Sequence, residues 1–209
     1  MVRNLVPDLI RIVDDDPSVC ASLTFILQIV GFDVVSYNSA DQFLEQATDL
    51  RPGCVLLDVK LPGKSGLELF CDIRRQGMLL PVIFLSGHGD IEMAVQALHD
   101  GAFDFLVKPA EPERLIEKVQ KAVEYGKKIR SQVQEQEEIK TLMARLTPSE
   151  LEVAQLMAKG LTVKAIAQLL KVSEQAIKAH RSSIYHKLDV INPVEVAGVV
   201  NDWLRSRKV

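Results

Sequence analysis

The chain of 209 residues has little of what marks several protein classes. Its three cysteines, Cys20, Cys54 and Cys71, are odd in number and form no CxxC pair, which argues against a disulfide scaffold or a zinc-thiolate site. Their apolar neighbourhoods predict reduced, buried thiols. No apolar run approaches the ~20 residues needed to span a bilayer. Met1-Val2-Arg3-Asn4 does not open like a signal peptide, so a cytoplasmic location is expected and a membrane partner is not. Glycine and proline number only 11 and 9, without periodicity, which removes collagen-like and low-complexity classes. Internal repeats are absent.

Charge of one sign is also scarce overall, the net value being −3, but this total conceals a division. Residues 1–125 carry 11 Lys+Arg against 19 Asp+Glu, whereas residues 147–209 carry 9 against 6. An acidic first part followed by a basic last part points to different partners, with nucleic acid the candidate for the basic one.

In the first 125 residues, short β-rich runs alternate with helical patterns. Residues 10–13, 34–37, 54–57, 81–85 and 103–107 read as strands. Leu23, Ile26, Leu27 and Val30 recur at the spacing of a helix packed on a sheet. Asp16-Pro17 reads as an N-cap followed by N1, Ser39 with Gln42 as a capping box, and Gly31, Gly77 and Gly101 as helix stops. Five successive βα units predict an α/β fold, a doubly wound parallel sheet with helices on both faces.

Residues 126–145 are polar and lack Pro and Gly after Gly126, and read as a solvated helical linker. A coiled coil is disfavoured because a 4-3 frame would put Gly126, Gln136 and Lys140 on the seam. From residue 146 the pattern is all-α. Thr147-Pro148-Ser149-Glu150 starts a helix that Gly160 ends, residues 162–171 form a second, Ser173 caps a third to Leu188, and Asn192-Pro193 starts a fourth. The tight Val172-Ser173 connection makes the second and third a helix-turn-helix pair.

In a flavodoxin-like sheet, ligands bind at the carboxyl ends of strands 1 and 3. Asp14 and Asp15 follow strand 1 and Asp58 ends strand 3, so three carboxylates converge there. Their mutual repulsion calls for a hard cation, and Mg²⁺ suits a site with few carboxylates and a phosphate. Ser86 ends strand 4 and Lys108 ends strand 5, adding a hydroxyl and a point charge suited to phosphoryl oxygens.

The run Val13-Asp14-Asp15-Asp16, then Leu57-Asp58, Leu61-Pro62-Gly63, Gly66, Ser86-Gly87 and Lys108-Pro109, resembles the receiver domain of two-component response regulators. The resemblance implies a CheY-like fold for residues 1–125, with Asp58 as phospho-acceptor for a cognate sensor histidine kinase. It implies Mg²⁺ at Asp15, Asp58 and the Lys60 carbonyl, with Asp14 acting through a coordinated water, Ser86 and Lys108 on the phosphoryl group and Phe105 as switch aromatic. His88 is similar to a FixJ-type loop residue. Residues 146–209 resemble the LuxR-type helix-turn-helix of the FixJ/NarL regulators, through Leu146-Thr147-Pro148-Ser149-Glu150, Gly160-Leu161-Thr162, Ile177-Lys178-Ala179-His180-Arg181 and Ile184-Tyr185-His186-Lys187-Leu188. Leu151 and Ser182 replace residues that are often basic in that pattern. By this resemblance Lys178, Ala179 and Ser182 face bases, and Gln175, Arg181 and Lys187 face phosphates of double-stranded DNA. In the third helix Ile177, Ile184 and Leu188 are expected in the core, leaving Lys178, Ala179, Ser182, Tyr185 and Lys187 largely outside.

The function expected is that of a DNA-binding transcriptional regulator. Phosphorylation of Asp58 promotes a homodimer on an inverted-repeat promoter site, RNA polymerase is a further candidate partner, and enzymatic activity is at most weak autophosphatase. The rival expectation keeps the receiver but gives it an RNA-binding or protein-docking output.

Overall fold

The computed structural model describes residues 6–49, 51–87 and 91–207, except for the side chains of Ile91, Glu92 and Ala94. By contact density it divides into two units, residues 1–130 and 131–209.

In the first unit β1 (Leu9–Val13), β2 (Asp33–Tyr37), β3 (Gly53–Asp58), β4 (Val82–Ser86) and β5 (Asp104–Val107) are all parallel, in the order β2-β1-β3-β4-β5. Between and after them run α1 (Pro17–Ile29), α2 (Ala40–Gln46), α3 (Gly66–Arg75), α4 (Ile91–His99) and α5 (Pro112–Met143). Both faces of the sheet are covered, which explains why β3 and β4 are continuous apolar runs instead of alternating ones. On one face Ile10, Ile12, Leu56 and Ile83 pack with Leu23 and Leu27 of α1 and Leu115 and Val119 of α5. On the other, Val13, Leu57 and Phe84 pack with Phe43 of α2 and Leu69, Phe70 and Ile73 of α3. Each such side chain removed from water contributes about 1.5–3 kcal/mol.

Arg11, at the centre of β1, is fully buried, and its guanidinium donates to the carbonyls of Leu9, Asp49 and Arg51. It thereby satisfies backbone acceptors where the chain enters β3. Desolvation lowers its pKa from the ordinary value.

Several local expectations hold. Asp16 caps α1 through the Ser18 N–H, with Pro17 at N1, and Gly31, Gly77 and Gly101 all take positive φ. Two do not. Ser39 caps α2, but the Gln42 side chain accepts from the Asn38 N–H, one residue before the cap, so the box is not reciprocal. Of the cysteines only Cys54 is buried; Cys71 faces outward from α3, because an apolar neighbourhood in sequence is not the inner face of a helix. Residues 126–143 are helical and largely exposed, as expected, and continue α5, which runs without interruption from Pro112 to Met143. Gly126 is buried near the Pro81 ring, and Met143 joins the second core together with Ile139 and Leu142. Glu, Gln, Lys and Arg between these anchors are good helix formers, which keeps the exposed middle helical.

The second unit contains α6 (Pro148–Ala158), α7 (Val163–Leu170), α8 (Glu174–Leu188) and α9 (Pro193–Ser206). Thr147, Thr162, Ser173 and Asn192 each cap a helix by accepting the N3 backbone N–H. Val153, Met157, Ile166, Ile177, Ile184 and Leu188 form its core, with Trp203 packed against it.

Candidate functional site

The parallel strands deliver Asp14, Asp58, Ser86 and Lys108 to one end of the sheet, because each lies at or just beyond the carboxyl end of its strand. Carboxylate oxygens of Asp14, Asp15 and Asp58 all lie within 4.8 Å of one another. Asp14 is 1% exposed and Asp58 8%, whereas Asp15 faces solvent. Lys108 reaches back across β4 and sets its ammonium 2.6 Å from Asp14 Oδ2 and 2.7 Å from Asp58 Oδ2. The backbone completes the arrangement: the Asp16 N–H donates to Asp14 Oδ1 at 3.0 Å and the Lys60 N–H to Asp58 Oδ1 at 3.2 Å.

Burial raises the Asp14 carboxyl above its ordinary range, against the pull of Lys108 and the Asp16 N–H. Burial alone would lower the Lys108 ammonium, but the two carboxylates outweigh it and hold the group above its usual value. Asp14 Oδ2 is buried without a hydrogen bond among the described residues. Lys108 neutralises its charge at close range but outside hydrogen-bonding geometry. An under-satisfied anionic oxygen beside two further carboxylates is what a hard divalent cation takes as a ligand. The donor set therefore fits such an ion.

Gly66, at the start of α3, makes the crowding near Asp58 tolerable. A Cβ there would lie 1.9 Å from the Asp58 carbonyl oxygen, so only glycine lets α3 begin beneath the end of β3. Ser86 is fully buried, its hydroxyl donating to the Leu106 carbonyl at 3.4 Å. Phe105, on β5, is half-buried against the cluster on the α3 side of the sheet. Lys108-Pro109 is a cis peptide. His88 lies outside the described residues.

On α8, Ile177, Ile184 and Leu188 are buried as expected. The outer stripe is Gln175, Lys178, Ala179, Ser182 and His186, all exposed. Arg181 is half-buried, its guanidinium 5.8 Å from the centre of the Tyr185 ring. Tyr185 and Lys187 are not largely outside. Lys187 forms a 2.7 Å ion pair with Glu150, which is 5% exposed at the start of α6. In the sequence nothing pairs Glu150 with the third helix of this unit. The expected capping box exists, since Glu150 accepts from the Thr147 N–H and hydroxyl, but the same carboxylate also accepts from Ser183 Oγ at 2.6 Å. Lys187, Ser183 and the Thr147 N–H together hold the Glu150 carboxyl down at about 2.

Residues 10–120 match the response regulator receiver domain, and residues 144–200 match the LuxR family of bacterial regulatory proteins. The chain belongs to the two-component response regulators. Similar proteins include the transcriptional regulatory protein TdiR of Thauera aromatica, 38% identical over 85% of this chain and 78% of that protein. FixJ of Bradyrhizobium diazoefficiens is 33% identical over 92% of this chain and 97% of its own length. Among solved structures, that of the response regulator StyR matches with a TM-score of 0.86 at 34% identity, covering 94% of this chain and 99% of that one. The response regulator thus pairs a CheY-like receiver with a LuxR-type DNA-binding domain, an architecture that implies a histidine kinase and DNA as partners. No helix among its described residues is long and apolar enough to cross a membrane.

Proposed function

We propose that Asp58 accepts the phosphoryl group and that α8 enters the major groove of promoter DNA. The observation that carries the first part is the Lys108 ammonium set between Asp14 and Asp58 beside the exposed Asp15. An Asp58 oxygen attacks the phosphorus of a phosphohistidine on the kinase. The O–P bond forms as the P–N bond breaks, and the imidazole leaves. Asp14, Asp15, Asp58 and the Lys60 carbonyl would hold Mg²⁺, which when bound supplies positive charge to the phosphoryl oxygens. Lys108 supplies a second positive charge, and its shift from Asp58 toward the phosphoryl group frees the anionic nucleophile.

About two added negative charges at Asp58 draw the Ser86 hydroxyl and its loop inward, and Phe105 turns into the space released. The reshaped surface favours a homodimer, which presents two copies of α8 to an inverted repeat whose half-sites lie about 10 bp apart or a multiple of it. Lys178, Ala179 and Ser182 reach base edges, while Gln175 and Arg181 meet phosphates. The protein acts in the cytoplasm as a switch with at most weak autophosphatase chemistry, and RNA polymerase is a partner at the promoter. The deciding experiment is uptake of labelled phosphate from acetyl phosphate. Asp58→Asn takes up none while remaining folded, and uptake equal to wild type would sink the assignment.

A further inference from the structure

The carboxylate of Glu150 is more extensively bound than a helix cap requires. One oxygen takes the Ser183 hydroxyl at 2.6 Å, and the other takes the Lys187 ammonium at 2.7 Å together with the Thr147 N–H and hydroxyl. Ser183 and Lys187 are four residues apart, on one face of α8 and one turn from each other. Two donors from successive turns meeting one buried acceptor fix both the height and the roll of a helix, as one contact could not. The roll decides which side chains point outward, and the exposed stripe of Gln175, Lys178, Ala179 and Ser182 is the result. At 3.6 residues per turn, Lys187 lies about half a turn around α8 from Lys178. This position places it beside the core residues Ile184 and Leu188 instead of on the stripe.

We infer that Glu150 is a positioning residue for DNA recognition: through Ser183 and Lys187 it sets the rotation of α8, and Lys187 serves this internal pair and not a DNA phosphate. The inference rests on the groove contact of α8 proposed above. It assigns to Lys187 a role different from the one the family resemblance implied.

The two roles of a cation on DNA-binding helices separate by salt. A lysine that neutralises a phosphate contributes nearly one unit to the slope of log K against log salt, and an internal lysine contributes none. Rotation affects recognition differently from charge, because base-edge bonds need the correct roll whereas backbone attraction tolerates error.

The test uses the full-length chain with the duplex it enriches from a random pool and a scrambled duplex of equal length. Glu150→Gln should reduce the ratio of the two affinities about tenfold while leaving the scrambled affinity and the salt slope unchanged. Ser183→Ala, which removes one donor without stranding a charge, should reduce the ratio in the same sense but less. Lys187→Met should leave the salt slope at its wild-type value, and combining it with Glu150→Gln should cost no more than the larger single effect. Lys178→Ala serves as the reference for direct reading. If Lys178→Ala loses discrimination while Glu150→Gln and Ser183→Ala both keep it, the positioning role is overturned and the groove contact stands. A slope reduced by about one unit in Lys187→Met overturns the internal assignment of that lysine. Full discrimination in Lys178→Ala overturns the groove contact, and the inference with it.

Discussion

The Glu150 cluster makes the stability of the second unit depend on pH in a calculable way. The carboxyl lies at about 2 in the folded chain against an ordinary value of 4.5. A depressed folded pKa contributes stability that is fully present above the unfolded value and is lost as pH falls through the folded one. The window is therefore pH 4.5 down to 2. At about 1.4 kcal/mol per unit, the full shift corresponds to roughly 3 kcal/mol. Lys187 is 30% exposed, so solvent screening reduces this to about 1–2 kcal/mol, of which about half is already lost at pH 3. The chain carries its own reporter: its single tryptophan, Trp203, packs on the core of this unit, so its fluorescence during urea unfolding follows this unit. Wild type should lose about 1 kcal/mol more than Glu150→Gln between pH 6 and pH 3, other carboxylates cancelling in the comparison. Parallel losses in the two proteins would show that the ion pair has no net worth and would refute the reasoning.

Asp15→Ala should weaken Mg²⁺ binding at least tenfold, measured by calorimetry on the unphosphorylated protein, because Asp15 is the exposed member of a set with few protein ligands; unchanged affinity would contradict its place in the site. Ser86→Ala should still accept phosphate yet fail to dimerise in sedimentation, and normal phosphate-dependent dimerisation would remove Ser86 from the coupling. Gly66→Ala should cost several kcal/mol in urea unfolding and slow phosphoryl uptake, since its Cβ would meet the Asp58 carbonyl; a neutral substitution would show that α3 can retreat without disturbing β3. Leu57→Ala, a buried truncation beside Asp58, should cost about 2–5 kcal/mol without altering which residue is phosphorylated, checked by mass mapping.

The receiver was legible because its chemistry sits where sequence is easiest to interpret. Asp14, Asp58, Ser86 and Lys108 each end an apolar run, and a parallel sheet gathers all such ends on one edge. The caps Asp16, Thr147, Ser173 and Asn192 were equally readable, since each acts on a backbone group three residues away or less. Glu150 and Lys187 were not, because 37 residues separate them and nothing local pairs a capping glutamate with a lysine on another helix. The burial of Arg11 was not legible either, because backbone carbonyls of the distant chain entering β3 accept its donors. The exposed helix over residues 126–143 was legible from its Glu, Gln, Lys and Arg, whereas its continuity with the preceding helix was not, because nothing local marks it. Nor was the exposure of Cys71 legible, because apolar neighbours in sequence do not place a residue on the inner face of a helix.

Among the described residues the buried Ser86 hydroxyl is held by a 3.4 Å bond to the Leu106 carbonyl, well beyond the usual O–H···O length. A bond so long sits at the low end of the roughly 0.5–1.5 kcal/mol that a hydrogen bond contributes net. That bond is a weak tether for the serine. If Asp58 is phosphorylated as proposed, a phosphoryl group competes with little for that hydroxyl, and Ser86→Ala is expected to lose the response without releasing the resting form. On that proposal the receiver is a toggle without a spring, thrown by the charge that arrives at Asp58.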